Sequence, residues 1–236
     1  MEEKLCGLVL SGIAYGENDK ILTIYTLEKG VLSAGIKGVK KAGAKLKFAS
    51  EPFCFAEFVF STSGSRRTVI GASLIDSFYP IREDIVKYYA GATILEFAKK
   101  FYKQEMVSEQ TFLLLINFLK KLAYEKRDVK SVLAEFLIDA LSFSGFGLNL
   151  YACYKCREEN ANGKVFFDSS SGGFLCEDCF DGHGREIRQS TFNALKIISQ
   201  GKDDIENAVS ALKLLDYYIE NRADEKLKSL TELLKL

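Results

Sequence analysis

The sequence predicts an α+β chain of more than one domain: a small five-stranded antiparallel barrel first, then an α-helical bundle. Three observations carry that prediction. Short segments rich in Val, Ile, Leu and Tyr alternate with turn residues over the first 75 positions, a spacing too tight for crossover helices. Past Pro80 the apolar residues recur every three or four positions, the helical period. Between two such helical stretches, residues 150–186 interrupt the pattern with glycines, serines and four cysteines.

Residues 5–15, 20–27 and 31–37 read as the first three strands. Gly16-Glu17-Asn18-Asp19 and Glu28-Lys29-Gly30 separate them as turns. Residues 53–60 are dense in aromatics, and Ser61-Thr62-Ser63-Gly64-Ser65 turns the chain into a fifth strand over 66–75. Five strands in about 70 residues match an oligonucleotide-binding (OB-fold) barrel, and an SH3-like barrel fits the spacing nearly as well. Arg82-Glu83-Asp84 then sets acids at a helix start, where they complement the dipole. Ile85, Tyr88, Ala92, Leu95, Ala98 and Tyr102 mark that helix's inward face. Ser108 caps a second helix, with Phe112, Leu115, Leu119 and Leu122 inward. Asp128 caps a third, with Leu133, Phe136, Leu137, Ala140 and Leu141 inward and Gly145 at its end. Beyond the insert, Ser190 starts a helix through Leu195 and Ile198 that stops at Gly201. Asp203 starts another through Ile205, Val209, Leu212, Leu215 and Ile219, and an amphipathic stretch covers 224–236. The expected domains are therefore a barrel at 1–79, a helical domain in two parts at 80–149 and 187–236, and an insert at 150–186.

Composition fits this plan. With 47% hydrophobic and 27% charged residues, the chain can bury a core and is not a disordered tail. Two prolines, Pro52 and Pro80, exclude Pro-rich stalks and collagen. The longest wholly apolar run covers 112–116, far short of the ~20 residues that span a bilayer. No cleavable secretory pattern follows Met1. The expectation is an intracellular protein with no membrane partner. Charge balances at 32 basic and 32 acidic residues, yet between Glu28 and Glu51 stand six lysines and no acid.

Cys153-x-x-Cys156 and Cys176-x-x-Cys179 are separated by nineteen residues. A two-residue gap aims both thiolates of a knuckle at one point, and two knuckles complete a tetrahedron around Zn²⁺. Val165-Phe166-Phe167 and Gly173-Phe174-Leu175 read as the hairpin between them. A closed shell of four thiolates leaves no place for substrate water, so the expected zinc is structural. Disulfides or a redox pair are the competing readings, opposed by the intracellular setting and by the lack of a βαβ unit. Cys6 and Cys54 fall in apolar strands and read as core. His183, the only histidine, reads as a surface loop residue.

Gly38-Val39-Lys40-Lys41-Ala42-Gly43-Ala44-Lys45 resembles a P-loop but fails it. Ala44 stands where the lysine belongs, and Leu46 rather than Ser or Thr follows Lys45. No nucleophile, base and orienter group together, so no enzyme is predicted. The same segment is instead a candidate DNA surface made of Lys37, Lys40, Lys41, Lys45 and Lys47, joined by Arg66 and Arg67. Lysines there neutralise phosphates without reading sequence. The plain alternative is a solvated loop. Without tryptophan, base stacking falls to residues such as Tyr15 or Tyr25, while the phenylalanines of 53–60 read as core. The helices of 203–236 read as part of the bundle, with a groove that suits a partner peptide.

Several of these segments, in this order, resemble the bacterial RecO family, the recombination mediators of the RecFOR pathway. The similar stretches are Gly7-Leu8-Val9-Leu10, Tyr15-Gly16-Glu17-Asn18-Asp19-Lys20-Ile21-Leu22, Gly30-Val31-Leu32-Ser33 and Lys37-Gly38-Val39-Lys40-Lys41. Glu51-Pro52-Phe53, Arg82-Glu83-Asp84 and Gly172-Gly173-Phe174-Leu175-Cys176 continue the series. Each is short; their order and spacing over the whole chain make the match. The resemblance implies an N-terminal OB-fold, a helical domain and a zinc insert held by Cys153, Cys156, Cys176 and Cys179. It implies binding of single- and double-stranded DNA, with Lys37, Lys40 and Lys41 as contacts, and annealing of complementary strands. It also implies association with RecR, recognition of the C-terminal tail of single-strand-binding protein, help in loading RecA, and a cytoplasmic, nucleoid-associated location. The basic loop carries lysine where relatives often have arginine. Two other readings stand beside this one: a zinc-ribbon interaction scaffold in transcription or RNA metabolism, and a nuclease built on an OB-fold.

Overall fold

A computed structural model of the chain describes residues 2–64, 66–102, 107–159 and 163–236. They fall into two compact units, Met1–Ala123 and Tyr124–Leu236. In the first, strands β1 (Glu2–Tyr15), β2 (Asp19–Thr26), β3 (Gly30–Ile36), β4 (Phe55–Ser63) and β5 (Arg66–Asp76) close a barrel in the order β1-β2-β3-β5-β4. All its pairings are antiparallel except β3 with β5, where Gly35 faces Thr68 and Ile36 faces Val69. That non-sequential parallel pair decides for the OB-fold over the SH3-like alternative.

β1 begins three residues earlier than the apolar pattern indicates, because Glu2, Glu3 and Lys4 pair with Ser61, Phe60 and Val59 of β4. A bulge between Val9 and Ser11 bends β1, so that one strand serves both β2 and β4. Leu5, Val9, Leu22, Ile24, Leu32, Ile36, Phe58, Phe60 and Val69 fill the interior. Cys54 joins them at 1% exposure, and burial pushes its thiol up to about 12. Cys6 departs from the expectation and is only half-buried. Its side chain points off the core face, and its N–H donates to the Glu28 carboxylate.

Two helices complete this unit, α1 (Ile85–Phe101) and α2 (Glu109–Tyr124). The expected caps form: Asp84 accepts from the N–H groups of Val86 and Lys87, and Ser108 from that of Thr111. The inward face of α1 matches the spacing in its second half, where Leu95, Ala98 and Tyr102 are buried, and departs from it in the first. Ile85 is 58% and Tyr88 41% exposed, while Gly91, Ile94 and Phe97 are buried. This helix is apolar around most of its circumference, so periodicity alone does not choose a face. Gly91 chooses it. A Cβ there would meet Phe53 at 2.9 Å and Ile81 at 3.0 Å, so only glycine lets the helix seat so closely. Tyr25 is sealed beneath α2, its hydroxyl hydrogen-bonded to that of Thr111 and its ring 5.6 Å from Phe112.

The second unit holds α3 (Val129–Phe143), β6 (Asn149–Cys153), β7 (Val165–Asp168), β8 (Gly173–Cys176), β9 (Arg185–Ile187), α4 (Gln189–Ile198), α5 (Ala208–Arg222) and α6 (Lys228–Leu233). Asp128 caps α3 through the Ser131 N–H. Gly145, at φ 81°, ends it, with the Phe146 N–H returning to the Leu141 carbonyl. α3 packs with α4 and α5 around Leu133, Phe136, Leu137, Leu195, Ile198, Leu212 and Leu215. The strands order as β6-β8-β7-β9. β7 and β8 are the expected hairpin; β6, which pairs irregularly and in parallel with β8, and the three-residue β9 are not among the elements the sequence predicts.

The helix expected from Asp203 begins instead at Ala208, and Ile205 is 73% exposed. Asp203 is held elsewhere. Its Oδ1 accepts from Arg127 Nε and Nη2, its Oδ2 from the Asp128 N–H, and Arg127 Nη1 donates to Glu135 at 2.7 Å. Glu135 is 6% exposed, so this cation matters. Arg127→Met should cost about 3 kcal/mol of stability, the order expected when a buried pair loses one partner. Urea unfolding of the variant measures it, and a midpoint equal to the parent's would refute the role given to Arg127.

Candidate nucleic-acid surface and metal centre

Residues 37–54 link β3 to β4 through successive turns. The N–H groups of Lys41, Ala44 and Lys47 donate to the carbonyls of Gly38, Lys41 and Ala44. Three apolar side chains pin the loop to the barrel: Val39 and Ala49 lie in the core and Leu46 packs on it. The β1–β2 turn holds it as well, Asp19 accepting from the Gly38 N–H at 2.7 Å and the Asn18 carbonyl from the Lys40 N–H at 3.0 Å. With the apolar residues turned in, Lys37, Lys40, Lys41, Lys45 and Lys47 are all exposed. Among the described residues none of these lysines has a carboxylate within 4.0 Å, whereas Lys20 pairs with Glu51 and Lys29 with Glu3. Lys37 and Lys41 border an open cleft of about 440 Å³ against Glu17, Asn18 and Asp19.

The parallel β3–β5 register sets the start of β5, with Arg66 and Arg67, alongside the end of β3. Arg66 is exposed. Arg67 is half-buried and faces Glu3 at 3.6 Å. Of the aromatics proposed for stacking, Tyr15 is 62% exposed at the tip of β1, whereas Tyr25 is 1% exposed and cannot meet a base. Packing of α2 on the barrel removes it. Phe48, between Lys47 and Ala49, is 36% exposed, an aromatic on this loop that the sequence reading does not single out. Its signal is an aromatic set inside a lysine-rich loop.

In the second unit the four cysteine sulfurs of Cys153, Cys156, Cys176 and Cys179 lie within 4.8 Å of one another. The first knuckle is closed by the Arg157 N–H to the Cys153 carbonyl, with Arg157 at φ 67°. The second is a single 3-10 turn over Glu177–Cys179 at the end of β8. A tetrahedral cage with metal–sulfur bonds of about 2.3 Å spaces its sulfurs roughly 3.8 Å apart. Cys156 and Cys176 are at 3.7 Å, so the donor set fits a metal ion, and none of the six cysteines is in a disulfide. His183 stands outside the cluster, exposed, its ring 3.4 Å from Asp181.

The thiols already differ. Burial opposes ionisation of Cys153, but the N–H groups of Cys156, Cys176 and Lys155 aim at its sulfur and bring it down to about 6. Hydrogen bonding to Cys176 and Cys156 pushes Cys179 up to about 12. A divalent cation would displace the remaining protons. The knuckles are backed by Phe166, Leu175 and Tyr154, with Phe180 stacked on Phe166 at 3.7 Å. Gly172 and Gly173 let the sheet close: a Cβ at Gly172 would lie 2.6 Å from the Tyr218 hydroxyl, and one at Gly173 2.8 Å from the Tyr154 ring.

Among the described residues no helix is long and apolar enough to cross a membrane. The family model for the N-terminal part of recombination protein O matches residues 1–78, and the model for its C-terminal part matches residues 82–231. The chain is 30% identical to the DNA repair protein RecO of Caldicellulosiruptor saccharolyticus, over 83% of this chain and 80% of that one. It is 28% identical to the namesake protein of Caldicellulosiruptor bescii over 97% and 89% of the two chains. To that of Desulforamulus reducens it is 30% identical over 96% and 91%. With both halves matched in order on an OB barrel and a helical unit that carries four clustered thiols, the chain belongs to the RecO family of DNA repair and recombination proteins.

Proposed function

We propose that this protein is a non-enzymatic recombination mediator that binds single- and double-stranded DNA and anneals complementary strands. The observation that carries the reading is the pinned loop on the OB barrel, which presents Lys37, Lys40, Lys41, Lys45 and Lys47 to solvent without carboxylate partners. Unpaired lysines at that spacing neutralise phosphates of any sequence, which annealing requires. Arg66 extends the surface, Arg67 braces Glu3 beside it, and Tyr15 and Phe48 offer faces for bases. The cysteine cluster holds one structural Zn²⁺, since four thiolates close the shell and leave no coordination site for chemistry. As a family member the protein acts in the cytoplasm near the nucleoid with RecR, takes the C-terminal tail of single-strand-binding protein on its helical domain, and helps load RecA. In this reading 1–79 form the DNA-binding domain and 150–186 the zinc insert, between the helical parts 80–149 and 187–236.

Annealing of two complementary labelled oligonucleotides tests this. The protein should accelerate it without nucleotide or added Mg²⁺ and leave both strands intact. Cleaved strands would make it a nuclease, and no DNA binding with the metal in place would make it an interaction scaffold.

A further inference from the structure

The second unit carries its own concentration of positive charge, invisible in the sequence because residues 151–189 sum to an acidic net charge. A cleft of about 390 Å³ opens between β9, the first turn of α4 and one side of α5. Arg185 and Arg188 enter it from β9 and the residue after it, and Lys213 from α5. All three are exposed, and among the described residues none has a carboxylate within 4.0 Å. The one acid lining the cleft, Glu186, pairs with Lys164. The Arg185 guanidinium lies 5.3 Å from the centre of the Tyr217 ring, which orients it without neutralising it. Thr191 and Ser210 add hydroxyls to the lining. No side chain caps α4, so its first N–H groups add partial positive charge on the same side.

We propose that this cleft binds the phosphodiester backbone of a nucleic-acid strand, a second site separate from the lysine loop of the barrel. Three neighbouring cations, Arg185 oriented by its ring, with hydroxyl donors beside them suit a run of phosphates better than a single carboxylate or an apolar peptide. The cleft has no buried aromatic platform that would read a base, so binding is independent of sequence. This inference deepens the proposed annealing activity: a protein with one strand-binding surface on each unit can hold two strands at once.

The test uses the full chain with its metal. Hydrogen exchange over residues 185–191 and 37–47 is followed with a single-stranded oligothymidylate and, separately, with inorganic phosphate. Annealing is followed in Arg188→Glu/Lys213→Glu, whose substituted side chains are exposed and unpaired. The oligonucleotide should slow exchange over 185–191. The double variant should lose that protection and anneal about tenfold more slowly, with its salt slope reduced by about two. Protection over 185–191 that persists in Lys40→Glu/Lys41→Glu upholds the cleft independently of the barrel. Protection over 37–47 alone, with annealing by the cleft variant at the parent rate, overturns the cleft and leaves the barrel reading intact. Equal protection by phosphate and oligonucleotide at matched phosphate concentration also overturns it, since the site would then take a free anion.

Discussion

Lys40→Glu/Lys41→Glu should bind single-stranded DNA of every sequence about 30-fold more weakly near 0.1 M salt, with the salt slope reduced by about two. Each lysine that meets a phosphate releases a condensed counterion, so removing two contacts removes two such terms, and reversal adds repulsion. The fold should not change. Both side chains are exposed and lack carboxylate partners, while the loop is held by Val39, Leu46 and Ala49 and by backbone bonds to Asp19 and Asn18. Lys4→Glu supplies the control. Lys4 sits on the same barrel, is 68% exposed and already pairs with Glu57, so its reversal changes net charge without touching the loop. Fluorescence anisotropy across a salt series gives both quantities. A double variant that binds like the parent, or a Lys4 variant that loses as much, would remove the loop as the interface.

Cys156→Ser should release the metal and unfold the small sheet while sparing the barrel. Cys156 is the exposed member of the four, so serine there alters ligation and little packing; Cys153 and Cys176 are core residues, and replacing them would confuse the two effects. β6 to β9 are three to five residues long, and a cluster that small would depend on the proposed ion for stability. Metal analysis should find the proposed one zinc per chain in the parent and close to none in the variant. Amide exchange over 149–187 should accelerate on the order of 100-fold, with the barrel strands unaffected. Acid should release the metal from the parent, because protons compete for the thiolates that bind it: the stabilisation is present at high pH and lost as pH falls. Full zinc content with unchanged exchange in Cys156→Ser would show that the cage does not need this sulfur.

Most of the secondary structure was legible, and the reason is local. Asp84, Ser108 and Asp128 satisfy N–H groups two or three residues ahead, and Gly145 and Gly201 adopt positive φ at helix ends. Such interactions lie within one turn and leave their mark on neighbouring letters. The failures came where a distant partner decided. Asp203 has the residue type of a cap, but Arg127, far away in the chain, claims its carboxylate and delays α5. Tyr25 reads from its strand as an available aromatic, yet α2 covers it. Neither competitor is visible in a window of ten residues.

The site divides along the same line. The sequence by itself determined that four thiols fall in two knuckles, each spanning a two-residue gap, and that five lysines stand in one short loop. Tertiary structure alone decided that the barrel closes through a parallel β3–β5 pair, which face of α1 is buried, and that Arg185, Arg188 and Lys213 share one cleft. A short spacing constrains geometry through the few backbone dihedrals it contains, so letters suffice. Charges that meet from a strand and a helix 25 or more residues apart are brought together only by packing, which depends on the shape of everything between them.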